Sequence, residues 1–407
     1  MIMKAIWMTK WMVPALAATI TAVPLGRPTD LPNIALQNNE FAFSLYQQVA
    51  AGNENNVFFS PFSISTALAM TYAGAAGSTA DAMSSAMNFS ANGADFHSAY
   101  GNYLDQLELS ADGHVDLRIA NRLWAERSYA LHPTFLDINA AAYRSALQPM
   151  NFTTAAEQSR EEINQWVAQK TDGRILDLIP QGVINPMTRL VLTNAIYFKG
   201  DWLHAFDEKD TQERKFYLKD SAAVDRDFMH RRGNIHYADN ERFQLLRLPY
   251  KGEKQSMVLV LPKRNVALET VQADMNSTLI NKAFQTGQPE VILALPKFKL
   301  TIPLSLKDHL VALGMAPAFE EGANFSAMTP SNDLFISEVI HKAFIEIDEK
   351  GTEAAAATAV VMQQTSSSYG PPKSPKIFTA DRPFLFYIVD NESQSILFMG
   401  RIMDPQQ

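Results

Sequence analysis

The chain reads as an α+β fold, and three observations predict it. Apolar residues recur at helical spacing in the first half, β-branched and aromatic runs dominate the second, and the two are not threaded into a regular strand–helix alternation. No internal repeat appears and no linker is long enough to cut the chain, so residues 31–407 are expected to form one domain.

In order along the chain, Ile34, Phe41, Leu45 and Val49 mark an amphipathic helix over 34–49. Phe58-Phe59-Ser60-Pro61-Phe62 interrupts it, and the small-residue run from Ile64 to Ala76 predicts a second, buried helix. A third spans Glu161 to Ala168, with Ile163, Trp166 and Val167 on one face and Glu161, Glu162 and Gln165 turned away. The period then shifts towards strands. Arg189–Phe198, Met257–Leu261 and Val291–Leu295 are predicted strands, with Tyr250–Ser256 as a polar turn before the second. Alternation is plain in Ala343–Asp348, where Ala343, Ile345 and Ile347 face one way and Phe344, Glu346 and Asp348 the other. Phe384–Val389, a turn at Asp390–Ser393 and Ile396–Arg401 read as a buried hairpin.

Composition excludes several functions. With 407 residues, 47% of them hydrophobic, a large core can form, while a net charge of -8 without a Lys/Arg stripe argues against nucleic acid as a partner. The absence of Cys removes disulfides, thiolate metal sites and a cysteine nucleophile. The chain has no HExxH, Walker-type loop or GxSxG elbow, and its eight His lack metal-ligand spacing. Asp348 and Glu349 read as solvated strand-end charges. No catalytic residue, metal or cofactor is therefore expected. At the N-terminus Lys4 and Lys10 precede an apolar stretch, Trp11–Val23, with small-residue exits at Ala15-Leu16-Ala17 and Ile20-Thr21-Ala22. Residues 1–22 read as a secretory signal that is too short to span a bilayer, giving a secreted or periplasmic protein. No later run of eighteen apolar residues suggests a membrane segment.

One stretch stands apart: Glu349-Lys350-Gly351-Thr352-Glu353, then Ala354, Ala355, Ala356, Ala357 and Thr358, followed by a polar run from Gln363 to Lys376. By composition alone an Ala run is a helix or a linker. Placed between a predicted strand and a C-terminal hairpin, it reads instead as a segment able to change conformation. As a strand it would set Thr352, Ala354, Ala356 and Thr358 on one face, none of them large or charged, and Glu353 on the other.

Several separate segments, in order, carry a family resemblance: Asn56–Ile64 (NVFFSPFSI), Leu192–Trp202 (LTNAIYFKGDW), His341-Lys342-Ala343, Glu349–Thr358, Asp381–Phe384 (DRPF) and Phe398–Arg401 (FMGR). Over about residues 31–404 the chain resembles the serpin family. The resemblance implies three β-sheets, eight or nine helices and an exposed reactive-centre loop over about 349–380. It also implies suicide inhibition, in which a serine protease attacks the loop, is held as an acyl-enzyme and is carried away as the loop inserts into the central sheet.

By the same resemblance, Glu349, Gly351, Thr352, Ala354, Ala355, Ala356, Ala357 and Thr358 form the hinge. Ser60, Ser63, Asn194 and His341 match a hydrogen-bonded cluster beneath the central sheet, and Trp202 matches a tryptophan where insertion begins. Family spacing sets the reactive bond at Thr365-Ser366. A small β-branched residue there suits elastase-like or subtilisin-like proteases. The segment Ser367–Pro375 is longer than the family's usual one; within it Tyr369 and Lys373 invite cleavage as substrate, while Val361, Met362 and Gln364 offer alternative registers. No heparin-type cofactor is expected, because Ser78–Val115 contains no Lys or Arg, and the protein is expected to act as a monomer. The competing reading is a non-inhibitory binding or chaperone protein on the same fold. Its mark would be bulky or charged residues on the hinge face to be buried, and there are none.

Overall fold

The computed structural model describes residues 31–89, 93–109, 114–145, 147–331, 333–352 and 374–406. Helices come first: α1 (Leu31–Ala50), α2 (Pro61–Tyr72), α3 (Gly77–Met87), α4 (Ala94–Leu109), α5 (Pro133–Tyr143) and α6 (Phe152–Lys170). Among the described residues three further helices follow, Leu268–Asp274 and the composite runs 277–285 and 307–319, which makes nine besides a single 3-10 turn at Glu208–Asp210.

Local chemistry explains the helix that matters most. Ser60 caps α2 by accepting a hydrogen bond from the Ser63 amide, and Pro61 fills the first turn, where its missing N–H is no loss. Every residue of α2 is buried. That explains its small and apolar sequence, which has little amphipathic signal because the helix has no solvent face.

The central sheet contains β1 (Val115–Glu126), β2 (Gln148–Met150), β3 (Leu190–Asp201), β4 (Phe298–Ser305), β5 (Ile336–Ile347) and β6 (Gly351–Thr352). Their order is β4-β5-β6-β3-β1-β2. The two-residue β6 enters at one end only. Below it β5 pairs directly with β3, in parallel, from Ile336↔Leu190 to Phe344↔Tyr197. A second six-stranded sheet holds the C-terminal hairpin, Phe384–Asp390 with Ile396–Ile402 in register from Phe384↔Ile402, and every residue of both strands is buried. A third sheet has the order Lys376–Thr379, Glu290–Pro296, Ala223–Asn234, Gln212–Tyr217. The main core lies between the central and second sheets and the N-terminal helices. A smaller one forms where α6 covers the other face of the central sheet, through Trp124, Phe152, Ile163, Val167, Tyr197 and Phe344. Burying each such side chain stabilises by roughly 1.5–3 kcal/mol.

The α+β reading holds, with three sheets, but the segregation into halves is only partial. Val57–Phe59 and β1 are strands in the first half, and 268–285 and 307–319 are largely helical in the second. Strand β1 escaped the alternation test because Arg118, Asn121 and Arg122 interrupt its apolar pattern; these side chains serve polar contacts on both faces of the sheet. Helix α6 starts nine residues earlier than its apolar stripe, at the Asn151 cap, and passes a kink at Ala155. Tyr250, assigned to a polar turn, is fully buried.

Candidate functional site

The site is the seam between β3 and β5, with a polar cluster along it and a wedge at its mouth. Asn194 of β3 and His341 of β5 are register partners across the seam. Their side chains are hydrogen-bonded through His341 Nδ1 and Asn194 Oδ1. His341 Nε2 accepts the Ser60 amide at 3.2 Å, so the ring carries its proton on Nδ1 and is neutral. Asn194 Nδ2 donates to Ser63 Oγ at 2.6 Å and to Asn121 Oδ1 at 2.6 Å, while Ser63 Oγ donates to Asn121 Oδ1 at 3.1 Å. Ser60 Oγ continues the network to the Leu397 carbonyl in the second sheet, at 2.6 Å. Ser60, Ser63, Asn194 and His341 each have 0% of their surface exposed. Burial pushes the His341 pKa down to about 3, against the opposing hydrogen bond to Asn194. The cluster ties α2, β1, β3 and β5 together at a point where two strands could separate.

At the mouth, β6 lies between the two strands. Gly351 pairs with Asp201 and Thr352 with Gly200 on one side, and Thr352 pairs with Ile347 on the other. The glycine is required by proximity: a Cβ at Gly351 would sit 2.1 Å from the Gly200 carbonyl oxygen. Thr352 is fully buried, with Oγ1 3.0 Å from the Tyr250 hydroxyl. Tyr250 in turn stacks on Trp202 at 4.7 Å and 10°. Gly200 makes this possible, since a side chain there would meet the Tyr250 ring at 2.9 Å. The Trp202 indole N–H donates to the Asp348 carbonyl at 3.0 Å, which anchors the end of β5.

Glu349 corrects the reading of solvated strand-end charges. It is buried, forms an ion pair with Lys297 Nζ at 2.9 Å and accepts from Thr211 Oγ1 at 2.7 Å. Burial alone would raise its pKa, but these two partners outweigh it and hold the carboxyl below its ordinary value. Half-buried Asp348 accepts the Lys350 and Gly351 amides at 2.9 and 3.1 Å, closing the turn into β6. Its pKa is raised, burial outweighing those hydrogen bonds.

The structure therefore brings Ser60, Ser63, Asn194 and His341 into one network, and Trp202, Glu349, Gly351 and Thr352 into one mouth. Ala354, Ala355, Ala356, Ala357, Thr358, Thr365 and Ser366 lie outside the described residues. Asn121, Tyr250 and Lys297 belong to the site although no local signal marks them, because each acts through partners more than forty residues away in sequence. Among the described residues no cluster of His, Asp or Glu could hold a metal ion, and no helix is long and apolar enough to cross a membrane.

Comparison with known proteins bears on what this geometry serves. A family model described as Serpin (serine protease inhibitor) matches residues 36–405. An uncharacterized serpin-like protein of Thermococcus kodakarensis is 39% identical over 369 residues, covering 90% of this chain and 85% of the relative. The leukocyte elastase inhibitor of Xenopus tropicalis is 38% identical over 384 residues, covering 92% and 100%. The crystal structure of Serpin48, a highly specific serpin of the insect Tenebrio molitor, superposes with a TM-score of 0.81 at 29% identity, covering 93% of this chain and 99% of that one. With matches along nearly its whole length in sequence and in fold, the chain belongs to the serpin family of serine protease inhibitors.

Proposed function

We propose that this protein traps a serine protease by suicide inhibition, accepting cleavage at Thr365-Ser366 and inserting the residues from Thr352 onwards between β3 and β5. The register at the mouth carries this reading. Thr352 is opposite Gly200 and Ile347 in antiparallel pairing. Continued residue by residue, the same register sets Ala355 between Tyr197 and Phe344, and Thr358 between Asn194 and His341. Those two pairs are themselves partners across the closed seam. The alternation fits as well: Ala354, Ala356 and Thr358 fall on the core face shared by Thr352, while Glu353 falls on the face of Lys199 and Glu346. Thr358 thus arrives at the polar cluster, and Ala355 between the rings of Tyr197 and Phe344.

The energetics favour insertion. An added strand of about fifteen residues exchanges one seam for two, which at ~1 kcal/mol net per hydrogen bond amounts to on the order of 10 kcal/mol. Thr365 at the cut supports an elastase-like or subtilisin-like target, in line with a relative named leukocyte elastase inhibitor. One chain suffices for this mechanism, so the proposed inhibitor is a monomer, and it is given no heparin-type cofactor because Ser78–Val115 contains no Lys or Arg. Export rests on Lys4, Lys10 and the apolar stretch Trp11–Val23, and N-terminal sequencing of the mature protein checks it.

The test is incubation with subtilisin, elastase, chymotrypsin and trypsin. A detergent-resistant adduct with the first two, and mass spectrometry locating the acyl bond at Thr365, are expected. Rapid loop cleavage by every enzyme with no adduct would favour a non-inhibitory role.

A further inference from the structure

The segment that follows α6, Thr171–Ile179, crosses the outer face of the seam like a strap. Three contacts tie it to three different strands. Arg118 of β1 pairs with Asp172, and Lys342 of β5 donates to the Leu176 carbonyl at 2.7 Å. Between them, the Arg174 guanidinium lies 6.0 Å from the ring centroid of Tyr197 on β3 and 6.0 Å from that of Phe344 on β5. Asp172, Gly173 and Asp177 take left-handed backbone angles, φ 48°, 73° and 46°, which fold the strap down so that Ile175, Leu178 and Ile179 pack beside those rings. Tyr197 and Phe344 are register partners across the seam, and their rings are 5.9 Å apart. A second cation, Lys299 of β4, lies 5.3 Å from the Phe344 ring. Because β4 and β5 stay together, Lys299 does not bridge the seam.

We infer that Arg174 is a clasp on the closed seam, a positioning residue that sets how fast the loop can advance past Ala355. The inference rests on the insertion reading above. A cation is attracted to the faces of both rings, one on each strand that must part. Inserting a strand moves the rings apart by about 4.8 Å, so Arg174 can follow only one of them. The lost contact opposes opening, and it falls at the position that Ala355 would occupy. A seam held too weakly would let the uncleaved loop insert by itself. One held too firmly would let the acyl-enzyme hydrolyse before insertion. Arg174 adjusts that balance from outside the loop, without altering the bait.

The experiment uses the full chain and a synthetic peptide copying Thr352–Thr365, whose annealing into the sheet is followed on native gels and by the rise in melting temperature. Arg174→Met keeps the stem and removes the charge. It should anneal the peptide about two- to five-fold faster, the loss of one exposed cation–ring contact. Arg174→Lys should fall between this variant and the parent. The control is Arg122→Met, which removes a cation stacked on Trp124 and Trp166 beneath α6 but away from the seam. It should leave the rate unchanged. Equal rates for Arg174→Met and the parent, or equal acceleration by Arg122→Met, would overturn the clasp alone. If the parent takes up no peptide and gains no stability when its loop is cleaved, the insertion reading falls and the clasp with it.

Discussion

Replacing Thr352 by Arg puts the insertion mechanism under direct strain. Thr352 has 0% of its surface exposed, and its hydroxyl meets the Tyr250 hydroxyl at 3.0 Å beneath a Tyr250–Trp202 stack. Among the described residues no carboxylate is paired with that hydroxyl, so an arginine would either bury an uncompensated guanidinium or keep β6 out of the sheet and forfeit its pairing with Ile347 and Gly200. Either route costs several kcal/mol. Taking about 3 kcal/mol, the first step of insertion slows by more than about 100-fold. Hydrolysis of the acyl-enzyme is untouched, because the bait is unchanged. Partition therefore moves from trapping to turnover. Titrating subtilisin or elastase with the variant should show the inhibitor consumed many times over per enzyme inactivated, with little adduct on denaturing gels. Thr352→Val keeps the shape and loses one hydroxyl, so its effect should stay within about tenfold. If Thr352→Arg inhibits with unchanged stoichiometry and full adduct, the burial of this position plays no part in trapping.

Other outcomes follow from the same geometry. Glu349→Gln should lower the stability of the native form by about 1–3 kcal/mol, since it removes the charge facing half-exposed Lys297; a double-mutant cycle with Lys297→Met in urea should recover a coupling of that order. Acid should weaken the fold through two buried histidines. Burial lowers His341 from 6.5 to about 3 and His97 from 6.5 to about 4, so both bind protons more readily once unfolded. Their stabilisation is complete above pH 6.5 and falls with pH at about 1.4 kcal/mol per unit each, down to those lower values. Urea midpoints at pH 7.5 and 5 should differ accordingly, and replacing His341 with Gln should shrink the difference. Thr365→Arg should redirect trapping towards trypsin while leaving stability unchanged, as read by adduct formation across the four proteases.

Much of the fold is legible in the sequence where one face of an element is buried and the other is not. Ile34 to Val49 announces α1, and the C-terminal hairpin is plain from its unbroken apolar strands. Legibility fails where both faces are covered or carry polar work. Strand β1 hides behind Arg118, Asn121 and Arg122, and Phe344, on the outward face of β5 by alternation, is covered by α6 and its strap. The site divides in the same way. Ser60, Ser63, Asn194 and His341 are found through a family resemblance, because their chemistry depends on a network that no local spacing shows. Glu349 reads as solvated because its partners, Lys297 and Thr211, are brought to it only by the fold. Tyr250 reads as a turn residue because nothing nearby in sequence reveals its stack on Trp202.

Under the proposed mechanism the cleaved loop gains stability by pairing with both β3 and β5. The most direct measurement is the melting temperature of the protein before and after a single cut in the loop. Insertion worth on the order of 10 kcal/mol should raise the midpoint by at least about 10 °C for a domain of this size. An unchanged midpoint after complete cleavage would mean that the loop does not insert.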